Sequence, residues 1–338
     1  MKLMSKDIGI DLGTSTTLVY VKGSGVVLKE PTVVAINDVT GDVLAVGQAA
    51  KEMLGRTPDN IIAVKPLKGG VIANFYGTRM MLEEFISKAV KKSILSKPRV
   101  VICVPSGITD VEERAVEQVA YDAGAKEAYI MEEAMAAAIG AGIKVDSPEG
   151  SMIVDIGGGT TEVAVISLGG IVASNAIRLA GDNLDQDIIE YIKDKYNVII
   201  GDNIAEEIKN TIGAAFSSMT EERMQVKGRN LSTGLPDTIT VTTSDIEKAM
   251  SKILEEIVKT INLTLEKTPP ELASDIMEKG IIICGGGAYI KNIDRYISDK
   301  VGIPVLIANN PLECVVRGAG SALSNIEVLK KSIKTRRR

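Results

Sequence analysis

Short apolar segments alternate with segments of helical spacing along the whole chain. Residues 100–105 and 281–284 are apolar runs typical of buried strands. Residues 109–123 have helical spacing and begin at a Thr and an Asp that suit an N-cap. This alternation predicts a mixed α/β protein with two sheets, each flanked by helices. Further helices are predicted at 79–89, 132–142, 181–196, 202–216, 243–262, 270–279 and 290–298, and further strands at 170–178 and across 224–242, with a turn at 230–236.

An internal repeat organises this pattern. Residues 11–21 read Asp-Leu-Gly-Thr-Ser-Thr-Thr-Leu-Val-Tyr-Val, and residues 155–165 read Asp-Ile-Gly-Gly-Gly-Thr-Thr-Glu-Val-Ala-Val. Each copy follows an apolar strand and leads into a strand with period-two alternation, which predicts a β-hairpin whose turn is rich in Gly and Thr. Two such hairpins imply a duplicated domain.

The residues of the repeated turns suit a polyphosphate ligand. Small residues let backbone N–H groups approach a phosphate closely, and hydroxyls add further donors. Asp11 and Asp155, each at the end of a strand, can hold Mg²⁺ through water. A single Asp-x-Gly turn could be purely structural, but its repetition at matched register favours a function. Two facing hairpins would clamp one triphosphate from both sides.

Composition narrows the class of protein. The 338 residues are enough for two domains, and 45% hydrophobic with 25% charged residues is typical of globular chains. The net charge of −5 argues against nucleic acid as a partner. The absence of His leaves catalysis to carboxylates, hydroxyls, Lys or a hard cation. The three cysteines are expected to be buried free thiols in a reducing compartment.

Two further segments have both a structural and a functional interpretation. The Gly run after Cys284 is either a tight turn or, at the end of a buried strand, a nucleotide contact. Neither the dinucleotide fingerprint nor the P-loop pattern occurs, so the predicted phosphate site belongs to another class. Glu132 and Glu133 begin a predicted helix, where the helix dipole alone would favour negative charge.

Two segments are candidates for membrane contact. Ile94 and Leu95 lie between lysines after a predicted amphipathic helix, which suits insertion at an anionic surface or an ordinary helix end folded onto the core. Residues 330–338 form a basic tail that could attract anionic lipid or remain solvated. No apolar run is long enough to cross a bilayer, so we expect a cytoplasmic protein that touches the inner face of the cell membrane only peripherally.

Taken together, these segments resemble the MreB family, the actin-like proteins that organise wall synthesis in rod-shaped bacteria. The resemblance runs over nearly the whole length and depends on residues 8–14, 104–109, 132–140, 155–162, 181–185 and 284–289, in this order and spacing. It implies an α/β actin-like ATPase fold, with two ribonuclease-H-like domains around a nucleotide cleft. The implied boundaries are 1–31, 66–145 and 311–329 for subdomain IA, 32–65 for IB, 146–181 and 246–310 for IIA, 182–245 for IIB, and 330–338 for the basic tail.

The resemblance also implies roles for single residues, with ATP and Mg²⁺ as cofactors. Asp11 and Asp155 would face the hydrated Mg²⁺. Glu133, Thr160 and Asp155 would form the catalytic set. Within it, Glu133 and Thr160 would arrange the water that attacks the γ-phosphate. Phosphate contacts are implied for Gly13, Thr14, Ser15, Gly157, Gly158, Gly159 and Thr160, and adenosine contacts for Glu206, Glu207, Lys209, Gly286, Gly287 and Ala288.

The function implied by the resemblance is ATP hydrolysis coupled to filament dynamics. Partners would be further copies of the chain, in single or paired protofilaments. The membrane surface and membrane-bound morphogenesis and wall-synthesis proteins would be further partners. A sugar or acetate kinase, or a chaperone-type ATPase, are alternatives on the same fold. Ala134 replaces a Pro common in relatives, which leaves open a nucleotide-binding scaffold that hydrolyses little.

Overall fold

The computed structural model describes residues 7–90, 97–216 and 221–324, and the backbone of residues 333–335. Its first half contains the strands β1 (Ile8–Leu12), β2 (Thr16–Val21), β3 (Gly25–Pro31), β4 (Val34–Asn37), β5 (Val43–Val46), β6 (Ile61–Val64), β7 (Leu67–Lys68), β8 (Val71–Ile72), β9 (Arg99–Val104) and β10 (Glu127–Glu132). The helices of this half are α1 (Gln48–Lys51), α2 (Phe75–Ala89), α3 (Asp110–Asp122) and α4 (Glu133–Gly140).

The second half has a similar composition of elements. Its strands are β11 (Ser151–Ile156), β12 (Thr161–Ser167), β13 (Gly170–Ile177), β14 (Val198–Ile199), β15 (Arg223–Asn230), β16 (Pro236–Thr242), β17 (Ile281–Cys284) and β18 (Val305–Ile307). Its helices are α5 (Gly181–Tyr196), α6 (Asp202–Ile212), α7 (Thr243–Glu266), α8 (Pro270–Lys279), α9 (Ile293–Val301) and α10 (Cys314–Ala322), with short 3₁₀ turns at Gly286–Tyr289 and Pro311–Glu313. A last strand, β19 (Ile333–Thr335), returns to the first half.

The predicted repeat is confirmed by the topology of the two large sheets. The strand orders are β19-β10-β9-β1-β2-β3 and β13-β12-β11-β17-β18. Asp11 lies opposite Leu18 in the antiparallel hairpin and beside Cys103 on the parallel strand β9. Asp155 occupies the same position in the second sheet, opposite Glu162 and beside Cys284. The two hairpins therefore share one register.

Each large sheet carries an inserted lobe. In the first half a three-stranded sheet, ordered β5-β4-β6, forms with α1 what we call the first small lobe. In the second half α5, α6 and the sheet β14-β15-β16 form the second small lobe. The first small lobe falls within the range predicted for subdomain IB, and the second matches that predicted for IIB except that α5 begins one residue earlier, at Gly181. The subdomain boundaries themselves remain a prediction.

The two halves meet at a pair of helices, α4 and α10. Small residues allow their backbones to touch: a Cβ added to Gly140 would lie 1.8 Å from the Cys314 carbonyl oxygen, and one added to Gly318 would lie 1.9 Å from that of Ala136. Cys314 and Ala136 belong to a buried cluster that also includes residues of both sheets, such as Val101 and Ile153. The halves are thus closely apposed at their core.

Local boundaries differ from the predictions where the backbone leaves the expected conformation. Residue 132 belongs to strand β10, which the apolar pattern did not reveal, so the helix begins one residue later. Helix α6 ends at residue 212 because Gly213 is extended, before the predicted end at 216. Helix α9 begins at residue 293, after Asn292 in a left-handed conformation, and replaces the helix predicted at 290–298.

The proposed membrane segments lie largely beyond the described residues. Ile94 and Leu95 fall outside them, as does most of the basic tail. Residues 333–335 form an antiparallel strand beside β10. Of the helices that the structure describes, none combines the length and apolarity needed to span a bilayer.

Candidate functional site

A cavity of about 490 Å³ lies between the two halves, at the turns of both repeated hairpins. Most of the predicted site residues line it: Asp11, Gly13, Thr14, Ser15, Glu133, Asp155, Gly157, Gly158, Gly159, Thr160, Glu206, Lys209, Gly286 and Gly287. Two predicted residues do not. Glu207 is exposed and lines a separate groove between α1 and α6, and Ala288 is buried in the core beside the cavity.

The two turns touch each other across the cavity. A Cβ added to Gly158 would lie 2.2 Å from Ser15 Oγ, and one added to Gly159 would lie 2.5 Å from Thr14 Oγ1. The Gly70 N–H donates to Thr14 Oγ1 at 2.9 Å, which fixes that side chain. Glycine is therefore required in the second turn because the hydroxyls of the first turn occupy the space of its side chains. This close approach suits a ligand gripped from both walls.

The N-terminus of helix α5 holds the second turn from behind. The Gly181 N–H donates to the Gly157 carbonyl at 3.2 Å, and the Asp182 N–H donates to that of Gly158 at 2.7 Å. Asp182 and Asp185 of this helix also line the cavity, although neither was predicted as a site residue. The run Gly-Asp-Asn-Leu-Asp at 181–185 was the available signal, but its contacts depend on the fold.

Four carboxyl groups face the base of the cavity. Burial raises the pKa of Asp155 to about 6. Burial and the charge of Asp155 raise the pKa of Glu162 to about 8. Burial, with the neighbouring carboxylates, also raises the pKa values of Asp11 and Glu133 well above their usual range. The cavity therefore favours the binding of a positively charged ion or group.

Glu162 is a further functional candidate that the sequence reasoning missed. It is 1% exposed on strand β12, directly opposite Asp155. Its carboxyl accepts hydrogen bonds from Ser106 N at 2.9 Å and from Ser106 Oγ at 3.0 Å, across the boundary between the halves. The signal was present in the repeat, where a Glu takes the place of the apolar Leu18.

The donor set fits hydrated Mg²⁺ rather than an ion ligated by protein alone. Among the residues that the structure describes, no group of three or more His, Cys, Asp or Glu converges to hold a metal ion. Mg²⁺ usually keeps several waters and binds through one or two carboxylates plus substrate phosphates. Asp11 and Asp155 at the base of an acidic cavity meet that requirement.

The third glycine-rich segment closes the site beside Asp155. Gly285 has a φ of +81°, and a Cβ there would lie 2.3 Å from Asp155 Oδ1. The run after Cys284 thus needs glycine both for its backbone conformation and for its approach to the carboxylate. Gly286 and Gly287 follow in a 3₁₀ turn that lines the cavity.

Charged residues of α5 and α6 form a further wall of the cavity. Lys209 Nζ donates to the Gly181 carbonyl at 2.9 Å. It also forms an ion pair with Asp185 Oδ1 at 2.7 Å. Burial raises the pKa of Asp185 to about 6, although Lys209 opposes the shift. Glu206 lines the same wall and pairs with Lys51 at 2.6 Å.

Comparison with known proteins gives a consistent answer. The family model described as MreB/Mbl protein matches residues 5–331. The cell shape-determining protein Mbl of Bacillus subtilis (strain 168) is 47% identical over 329 residues, covering 97% of this chain and 99% of that protein. The cell shape-determining protein MreB of Escherichia coli (strain K12) is 50% identical over 331 residues, covering 96% and 95%.

Solved structures agree at the level of the fold. The crystal structure of MreB5 of Spiroplasma citri bound to ADP superposes with a TM-score of 0.91 at 40% identity, over 97% of this chain and 98% of that one. A MamK double helical filament matches with a TM-score of 0.80 at 23% identity, over 94% and 98%. The fold is that of the actin-like ATPases, and the chain belongs to the MreB/Mbl family.

Proposed function

We propose that this chain binds ATP with Mg²⁺ in the cleft, hydrolyses it, and polymerises into membrane-associated filaments that govern cell shape by organising wall synthesis. The observation that carries the proposal is the pair of matched hairpin turns that touch across one acidic cavity. The MreB5 structures of Spiroplasma citri, bound to ADP and to AMPPNP, support a nucleotide ligand. The names of the Mbl and MreB relatives support the role in cell shape.

In the proposed reaction, the oxygen of water attacks the γ-phosphorus and the bond to the β–γ bridging oxygen breaks, which yields ADP and phosphate. Glu133 and Thr160 orient the water, and Glu133 accepts a proton from it. Burial and the neighbouring carboxylates raise the pKa of Glu133 above its ordinary value, which makes its ionised form a better proton acceptor. Mg²⁺, when bound, neutralises charge on the phosphate oxygens.

Binding and release of nucleotide would couple to assembly through the two halves. Closure of the cleft changes their relative orientation, and a chain that contacts its neighbours head to tail without closing a ring forms filaments. Self-association is supported by the MamK double helical filament only through the shared fold. Contact with the membrane, through residues 94–95 or the basic tail, belongs to the same proposal.

The hydrolysis step is tested by phosphate release from the native chain and from Glu133→Gln. We expect the variant to bind ATP but to hydrolyse it about a hundredfold or more slowly. Glu132→Gln is the matched control, because the neighbouring side chain does not line the cavity. Equal rates in native protein and Glu133→Gln would remove Glu133 from the mechanism. Phosphate transfer that rises sharply with a small sugar or acid would favour a kinase.

Filament formation and membrane contact need a separate test. Electron microscopy with ATP and anionic liposomes should show filaments lying on the lipid surface. Co-sedimentation should weaken in a variant with Ile94 and Leu95 both replaced by Ser, or in a form lacking residues 335–338. Undiminished binding by both variants would exclude these two segments as the membrane contact.

A further inference from the structure

Asp182 joins three parts of the molecule at one carboxylate. Its Oδ1 accepts a hydrogen bond from Ser15 Oγ of the first turn at 2.7 Å. The same oxygen accepts from Lys65 Nζ, just after strand β6 of the first small lobe, at 2.9 Å. Its backbone N–H donates to Gly158 of the second turn. Asp182 therefore links both phosphate-facing turns to the opposite lobe.

Two ion pairs bridge the mouth of the cleft between the small lobes. Lys65 pairs with Asp182 at 2.9 Å, and Lys51 of α1 pairs with Glu206 of α6 at 2.6 Å. Burial alone would lower the pKa of Lys65, but Asp182, Asp185 and Glu206 raise it above its ordinary value. Lys65 is thus held in its charged form by the second small lobe. A ligand leaving the cleft by its mouth must pass between these pairs.

The hydroxyl of Ser15 connects the mouth to the phosphates. A serine hydroxyl carries a single proton, so it can donate to one acceptor at a time. Ser15 donates to Asp182, yet its turn is also the one proposed to hold phosphate. When Ser15 donates to a phosphate oxygen, Asp182 loses that bond. Its carboxylate is then available to Lys65 alone.

We propose that Asp182 is a positioning residue that couples the terminal phosphate of the nucleotide to the Lys65 ion pair, by competing with that phosphate for the Ser15 proton. This inference rests on the proposed nucleotide site and adds regulation to it. A triphosphate that engages Ser15 strengthens the Lys65–Asp182 pair and holds the mouth closed. A diphosphate that lacks this contact leaves Asp182 shared and releases more readily.

The experiment is stopped-flow release of fluorescent methylanthraniloyl derivatives of AMPPNP and of ADP. Lys65→Met should speed release of the triphosphate analogue by about two- to fivefold, the range of a half-exposed ion pair. The same variant should speed release of the ADP derivative by a smaller factor. In a Ser15→Ala background this difference between the two nucleotides should disappear, because no hydroxyl proton is left to share. Ser15→Thr, which keeps the hydroxyl, should retain the difference between the two nucleotides.

The controls separate this coupling from a general effect of charge. Lys68→Met makes the same change three residues away on strand β7, at a lysine with no ion pair to the described residues, and should leave both rates unchanged. Lys65→Arg should restore the native rates. Equal acceleration of both nucleotides by Lys65→Met, or a difference that persists in Ser15→Ala, would overturn the inference alone. Failure of the native chain to bind either analogue would overturn the proposed function with it.

Discussion

The two hairpins have one backbone register but carry different residues opposite their aspartates. In the first, Asp11 faces Leu18, and in the second, Asp155 faces Glu162; both partners are 1% exposed. The apolar partner, Leu18, is buried and lines the cavity without adding an ionisable group. The carboxyl partner instead accepts two hydrogen bonds from Ser106 in the opposite half. A duplicated fold can thus keep its shape while the side chain at a single position changes from apolar to ionisable.

Where the halves meet, by contrast, they are alike. Helices α4 and α10 each follow the last parallel strand of their own sheet. Each presents a glycine to the backbone of the other. The symmetric contact provides a core that cannot tolerate added volume, and the asymmetric position provides the chemistry. The comparison therefore predicts where changes affect stability most.

The largest expected effect is at the symmetric contact. Gly318→Val would place a side chain against the Ala136 carbonyl, 1.9 Å from the position of its Cβ, and a backbone atom in a packed helix cannot move aside. We expect a loss of about 3 kcal/mol or more in the free energy of unfolding. Urea unfolding followed by circular dichroism measures it. Gly140→Val should have a similar effect if the two contacts are equivalent.

A glycine away from this contact is the control. A Cβ on Gly170 would lie 3.8 Å from the Ser167 carbonyl oxygen, an ordinary contact distance. Gly170→Ala should change stability by less than about 1 kcal/mol. A loss as small as this in Gly318→Val would show that the helices can separate without cost.

The next largest effect is expected at Glu162, the position at which the two hairpins differ. It is a change in how the free energy of unfolding depends on pH. The folded chain holds the Glu162 proton up to a pKa of about 8, whereas an unfolded Glu releases it near its ordinary value. The folded state therefore binds more protons between these values, and the stability of nucleotide-free protein falls as pH rises through this window. Glu162→Gln should flatten this fall by about 1.4 kcal/mol per pH unit.

This prediction is measured as the free energy of unfolding at pH 5.5, 6.5 and 7.5 in native protein and Glu162→Gln. The Gln side chain can still accept from Ser106, so the contact between the halves is kept and the change isolates the proton. Parallel pH profiles for the two proteins would show that Glu162 does not hold a proton in the folded chain.

The smallest effect is expected at a surface contact between the same halves. Arg178 pairs with Glu112 at 3.2 Å, but its side chain is 61% exposed. Arg178→Met should change the free energy of unfolding by about 0.5 kcal/mol or less, because exposed ion pairs are screened by water and salt. A larger loss in the free energy of unfolding that vanishes at high salt would show that this ion pair stabilises the contact between the halves.

Much of the fold could be predicted from local pattern. Helix α3 begins after Thr109, as the Thr and Asp in the sequence indicated, and the structure adds a capping box between Thr109 and Glu112. The two hairpins, Asp11 and Asp155 were found because a repeat is visible in the order of residues. Strand β10 was missed because its run of mixed residues leads directly into the Ala-rich helix α4 without a turn signal.

The sequence by itself determined the duplicated hairpins, the small residues of their turns and the positions of the two aspartates, because these follow from neighbours along the chain. Only the tertiary structure decided that Glu162 joins the acidic cavity and that Asp182 contacts Ser15 and Lys65. These residues are up to 167 positions apart. Their chemistry depends on distances between separate elements, which no local pattern encodes.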